Sequence, residues 1–175
     1  ITTDTQLEIL RLDSRRFRNW IARQMYLKDG TIIDSSTLKD VIAVLSAQAA
    51  FESQSISLAL RVANVDGTWY YDLTNKKWEF IQITHEGWRV VKNIVVFRPY
   101  SPKPQVNPAT EYPSDIFDQF IDLLNIQGDE NRLLLKCYII SLFIPDITKV
   151  ILILHGEQGS AKTTLEELIK MLVDP

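Results

Sequence analysis

Residues 156–164 read Gly156-Glu157-Gln158-Gly159-Ser160-Ala161-Lys162-Thr163-Thr164, directly after the aliphatic run Val150-Ile151-Leu152-Ile153-Leu154. An apolar strand, a turn of small residues, a Lys-Thr pair and a helix make up the layout of a cradle for nucleotide phosphates. Gly156 and Gly159 let the backbone turn sharply and approach an anion closely. Successive N–H groups of such a turn converge on phosphate oxygens. Lys162 would bring positive charge to the β- and γ-phosphates of ATP, and Thr163 would offer its hydroxyl to Mg²⁺. All nine residues are candidate nucleotide contacts. One position departs from the usual G-x-x-x-x-G-K-[ST] spacing, with Ala161 standing where the second Gly belongs. Near helical dihedrals its methyl is tolerable; at positive φ it would strain the cradle. Glu157, whose carboxylate would repel phosphates, is expected to face solvent.

Two elements must position that turn. Val150 to Leu154 is β-branched and aliphatic, which suits a strand buried on both faces, as in a parallel sheet. Thr163 to Val173 carries Leu165, Leu168, Ile169 and Leu172 at helical spacing and reads as an amphipathic helix. A nucleotide-binding sheet needs several parallel strands, and only this one is visible in the sequence. The chain therefore reads as a piece of a longer protein, with the Walker B acid, the sensor residues and any arginine finger expected downstream. Without a parallel neighbour, Val150 to Leu154 is expected to lie at an exposed edge, to pair with another molecule or to be partly disordered.

Upstream, local signals delimit the remaining elements. Asp13-Ser14 are helix N-cap types, Phe17, Trp20, Ile21 and Met25 follow at helical spacing, and Asp29-Gly30 reads as the stop. Ser35 or Ser36 opens a second helix whose stripe is Leu38, Val41, Ile42, Leu45 and Ala49, ending near Phe51. From residue 55 the period becomes two. Strands are expected over Ser55–Val65, Thr68–Leu73, Trp78–Thr84, Trp88–Val91 and Ile94–Phe97, with Asp66-Gly67 as a hairpin turn. The aromatics Trp69, Tyr71, Trp78, Phe80 and Trp88 are expected to fill one face and its edges. Five of the seven prolines fall between Pro99 and Pro113, which reads as an extended connector. A helix with Ile116, Phe117, Phe120, Ile121 and Leu124 follows, then a buried helix over Glu130–Phe143, closed by Pro145-Asp146.

With 175 residues, 46% of them hydrophobic, and a net charge of −3, the composition is that of a globular protein. The slight acidity excludes a strongly basic nucleic-acid module overall. Two His and one Cys leave little for a zinc site, and the single Cys137, within an apolar run, reads as a core thiol. No apolar stretch or signal sequence suited to a membrane is visible, so a cytoplasmic protein with no membrane partner is expected.

The wording His155-Gly156-Glu157-Gln158-Gly159-Ser160-Ala161-Lys162-Thr163-Thr164, with the Leu-rich helix ending in Val173-Asp174-Pro175, resembles the ATPase region of primase–helicase-like proteins of phages, plasmids and integrated elements, which are similar to superfamily 3 helicases. Phe17-Arg18-Asn19-Trp20, Tyr70-Tyr71-Asp72-Leu73 and Thr84-His85-Glu86-Gly87-Trp88-Arg89-Val90 follow a similar order upstream, although only the phosphate loop is sharply matched. The resemblance implies a replicative ATPase that forms a homo-oligomeric ring on DNA in its full-length form. It implies that Gly156, Gly159, Lys162 and Thr163 contact nucleotide, and that this piece, lacking the acidic and arginine residues, holds no catalytic residue of its own.

A second candidate interface is basic. Residues 11–28 carry a net charge of +5, and Arg11, Arg15 and Arg18 fall at helical spacing, the footprint of phosphate-backbone contact with DNA. A solvated helix face is the plainer account of the same residues, as core packing is for Trp69, Tyr70 and Trp78 as base-stacking rings.

The expected fold is α+β. A helix-plus-meander module spans 1–98, a Pro-rich linker 99–113, a helical pair 114–145, and the first strand–loop–helix of a parallel ATPase core 146–175. The rival to the ATP-binding reading is a non-catalytic accessory module that contacts DNA or neighbouring subunits, with a loop that binds nothing.

Overall fold

The computed structural model describes residues 2–3, 6–7, 9–55, 57–92, 97 and 103–175. The chain divides into two compact units, 1–58 and 59–175. The two helices and the meander, grouped over 1–98 by sequence, thus fall in different units.

In the first unit, β1 (Thr2–Thr3) and β2 (Gln6–Leu7) pair antiparallel ahead of α1 (Arg15–Asp29) and α2 (Ser35–Phe51). Both helices begin where their capping chemistry lies. The Ser14 hydroxyl accepts the Phe17 N–H at 3.1 Å, and Gly30, left-handed at φ 65°, ends α1. Asp34 accepts the Ser36 and Thr37 N–H groups, and hydrogen bonds from Thr37 and then Ser36 hold its carboxyl well below the usual range. The expected stripe of α2 is only half-buried at Leu38, Val41, Ile42 and Leu45, and Ala49 is exposed. In a two-helix hairpin each helix buries only the side that faces its partner.

The second unit opens with a four-stranded antiparallel meander in the order β3 (Val62–Val65), β4 (Thr68–Asp72), β5 (Glu79–Thr84) and β6 (Gly87–Lys92). Asp66 and Gly67 both take positive φ, as a two-residue hairpin demands. The first strand is shorter than the expected 55–65: residues 57–61 contribute only an isolated parallel bridge between Ala59 and Phe97. Trp78, expected to open a strand, has φ 55° and belongs to the preceding turn. Residues 93–96 of the fifth expected strand, Ile56, and residues 99–102 of the connector lie outside the described residues.

Alternation divides the aromatics between both faces of the sheet rather than gathering them on one. Tyr71, Ile81 and Leu73 are buried with Phe143 on one side; Phe80 stacks on Phe97 at 5.3 Å, with Ala63, on the other. Trp88 stays 38% exposed on the edge strand.

Beyond the connector, α3 (Ile116–Leu123), α4 (Asp129–Leu142) and α5 (Lys162–Val173) pack on one another through Ile121, Leu124, Leu135, Ile139, Leu165 and Ile169. Burying each such side chain contributes about 1.5–3 kcal/mol. Arg132–Asp122 and Lys136–Asp118 ion pairs tie α4 to α3. The sequence suggested a buried α4. Leu135 and Ile139 are indeed buried, while Leu133, Leu134 and Ile140 are exposed, and so is Cys137, expected in the core. The apolar run in α4 is longer than the single contact stripe that α3 and α5 can cover.

Val150 to Leu154, expected as a strand, belongs to no sheet among the described residues. Leu152 and Leu154 pack on the helical cluster, while Ile151 and Ile153 point outward, 87% and 79% exposed. The run was expected to be buried on both faces, but only one is covered, because the helical cluster packs against that side alone.

Candidate functional site

The 156–164 loop begins where that extended run ends and closes onto the N-terminus of α5. Gly156 has φ 154° and Gly159 φ 85°. A Cβ on Gly156 would sit 2.9 Å from the rotatable Ser160 hydroxyl, and φ 154° is an angle that residues with side chains rarely adopt, so glycine suits the position. The Ser160 N–H donates to the Glu157 carbonyl at 3.3 Å and closes a tight turn.

Ala161 is left-handed, at φ 60° and ψ 25°. This is the strained alternative of the two that the sequence posed. A glycine would adopt it freely, and an alanine does so at a cost of about 1 kcal/mol. Ala161 is also the N-cap of α5, and no side chain caps the helix. The first helical bond runs from the Leu165 N–H to the Ala161 carbonyl at 3.0 Å. The Lys162, Thr163 and Thr164 amides precede it, so the positive end of the helix is left to whatever enters the loop.

Lys162 curls back over this end. Its ammonium donates to the Gly156 carbonyl at 3.0 Å, the Glu157 carbonyl at 2.8 Å and the Ser160 hydroxyl at 3.0 Å. An ammonium has three donors, and all are engaged on the loop itself. These acceptors are neutral, so an anionic oxygen would be the stronger partner for the same charge. Thr163, Thr164, Glu157, Gln158 and His155 are exposed. Glu157 is thus where repulsion from an anion would place it.

Beside the loop lies a cavity of about 150 Å³ bounded by Leu124, Asn125 and Ile126 from the α3–α4 junction, Leu154, Lys162 and Leu168. The α3–α4 residues were not among the sequence candidates. They lie some thirty positions upstream, and no local motif marks them.

The basic candidates come together less well. Arg11 precedes α1, which starts at Arg15, so the three arginines share no helical stripe. Arg11 is paired with Asp13 at 2.7 Å, which lowers the Asp13 carboxyl and raises the guanidinium, chiefly through that hydrogen bond. Arg15 and Arg18 remain exposed neighbours in the first turn of α1. The stacking candidates Trp69, Tyr70 and Trp78 are half-buried, and the Tyr70 hydroxyl accepts a hydrogen bond from Gln82 at 2.9 Å.

Among the described residues no group of three or more His, Cys, Asp or Glu side chains converges as a metal site, and no helix is long and apolar enough to cross a membrane. No protein-family model matches the chain, and comparison with curated proteins and with solved structures finds no match.

Proposed function

We propose that the 156–164 loop grips the phosphates of a nucleotide, as in a P-loop ATPase of the primase–helicase-like kind that works on DNA as a ring. The supporting observation is Lys162. Its ammonium is held on the Gly156 and Glu157 carbonyls of a loop with left-handed residues at 159 and 161, and that loop leads into the N-terminus of α5, which no side chain caps. Anion, lysine and helix dipole would then share one seat.

The residues present fit such a group. Phosphate oxygens would take over the Lys162 ammonium from the Gly156 and Glu157 carbonyls and accept from the free first-turn amides. The exposed Thr163 hydroxyl would hold Mg²⁺, which supplies charge neutralisation at the phosphates when bound. The apolar floor of the adjacent cavity, Leu124 and Leu168, would receive the rest of the nucleotide. Binding, rather than hydrolysis, is the activity proposed for these residues.

Equilibrium titration with ATP and Mg²⁺ tests the reading. Saturable binding that disappears in Lys162→Ala supports it. Wild-type protein that binds neither ATP nor any other nucleoside triphosphate ends it.

One observation favours the accessory reading: Leu133, Leu134, Ile140, Ile151 and Ile153 are exposed apolar residues of the same unit, suited to subunit contact. DNA contact through Arg15 and Arg18 is checked separately. An unchanged gel shift on replacing both with alanine removes the basic helix from the account.

A further inference from the structure

The C-terminal end of α5 is held by a buried arginine that lies 113 positions earlier in the chain. Arg61, only 5% exposed, donates from Nε and Nη2 to one oxygen of Asp174, at 3.0 and 2.5 Å. Its Nη1 donates to the Asp72 carbonyl at 2.9 Å and the Thr74 hydroxyl at 2.6 Å, and Nη2 also reaches the Lys103 carbonyl at 3.2 Å. The guanidinium lies 5.5 Å from the centre of the Tyr71 ring. Around it the last carbonyls of α5 are taken by side chains. The Tyr71 hydroxyl donates to Val173, and the Gln105 amide donates to Met171 and Leu172. The Lys103 N–H reaches the Pro175 carbonyl at 3.2 Å.

We propose that Arg61 is a positioning residue for the 156–164 loop. The helix is fixed along its length by Leu165 and Ile169 in the helical cluster, and at its far end by this clamp. Its 12 residues span about 18 Å, so a shift at one end is carried to the other by a rigid rod. With the clamp released, α5 pivots about its buried leucine and isoleucine, and Ala161, Lys162 and the uncapped amides lose their common aim. A planar fork of donors is needed to hold a carboxylate, two carbonyl groups and a hydroxyl at once. A lysine, with three donors on a single atom, does not replace it.

The inference rests on the nucleotide reading for its affinity measurement but not for its exchange measurement. The full chain is compared as wild type, Arg61→Ala, Arg61→Lys and Asp174→Asn, by titration with a fluorescent ATP analogue and by hydrogen exchange over 156–164 and 171–175. Arg61→Ala is expected to weaken the analogue about five- to tenfold and to speed exchange in the loop as well as at the clamp. Arg61→Lys fails to restore either. Guanidinium ion at tens of millimolar restores both in Arg61→Ala, whereas urea, of the same shape without the charge, does not. If Arg61→Ala does not fold, Asp174→Asn, at a partly exposed position, carries the comparison with a smaller change of the same sign. Loop exchange that stays at the wild-type rate while 171–175 opens overturns the proposal. If the wild type binds no nucleotide, the reading above fails, and loop exchange alone decides the role of Arg61.

Discussion

At its N-terminal end α5 starts on a left-handed alanine, has no capping side chain, and leaves its first amides to a loop held by one lysine. At its C-terminal end the carbonyls of Met171, Leu172 and Val173 each accept a side-chain hydrogen bond, and Asp174 is clamped by a buried guanidinium. One helix thus carries a deliberately unsatisfied end and a fully satisfied one. Strain and free donors at the first are affordable because the second, together with Leu165 and Ile169, holds the helix in place. A binding site built on open hydrogen-bonding capacity needs an anchor elsewhere, since its own groups add little stability until a ligand arrives.

The largest test of that contrast removes the anchor. Arg61→Ala leaves the Asp72 and Lys103 carbonyls and the Thr74 hydroxyl short of a donor, and is expected to cost about 3 kcal/mol in urea unfolding. The matching change at the open end, Lys162→Ala, is expected to cost under about 1 kcal/mol of stability, because its three bonds are largely exposed, yet to weaken ATP binding about a hundredfold. If the two costs in stability came out equal, the division between anchor and site would fail.

A finer test bears on the strained residue. Ala161→Val places a β-branched side chain at φ 60° and is expected to lose about 2 kcal/mol by thermal or urea melting. Ala161→Gly relieves the left-handed cost but gains freedom in the unfolded chain, so its net change stays within about 1 kcal/mol. A marked loss in the glycine variant would mean that the Ala161 methyl has a packing role.

The smallest effect is a pH dependence at the anchored end. Burial, the leading cause, raises the Asp72 carboxyl above its usual range, against the Thr74 N–H and Arg61, which lower it. A raised folded-state value means that the folded chain holds this proton more tightly than the unfolded chain. Stability from this group is therefore present below the ordinary carboxylate range and falls as pH rises through it. Urea midpoints of Asp72→Asn relative to wild type should increase as pH rises from the ordinary carboxylate range through the raised folded-state value, and level off above it. A difference that is flat with pH would remove the titration from the account.

Much of the local structure was legible because its causes are local. Ser14 and Gly30 bound α1, Ser35 and Phe51 lie at the ends of α2, and Asp66-Gly67 turns the first hairpin, each by chemistry confined to a few neighbouring residues. In the loop the sequence isolated Ala161 as the position on which the geometry turns, and its left-handed conformation is the outcome. Periodicity was a weaker guide where a face had no partner. Cys137 lies in a run of apolar residues, but only neighbours in space determine which of them are covered, and it is exposed. Arg61 was invisible for the opposite reason. A lone arginine within an expected strand carries no local sign of its role until Asp174, Thr74 and two carbonyls are brought to it from distant parts of the chain.

By itself the sequence determined the α+β class, the helix ends, the hairpin turn, and a loop with lysine and threonine at the start of an amphipathic helix. These follow from dihedral preferences, capping and spacing, which act over a few residues. Only the tertiary structure decided that Val150 to Leu154 packs on helices by one face and joins no sheet among the described residues, that the aromatics divide between two faces, and that α5 is clamped at its far end by Arg61. Burial and long-range hydrogen bonds depend on which surfaces meet, and that is a property of the assembled chain rather than of any segment of it.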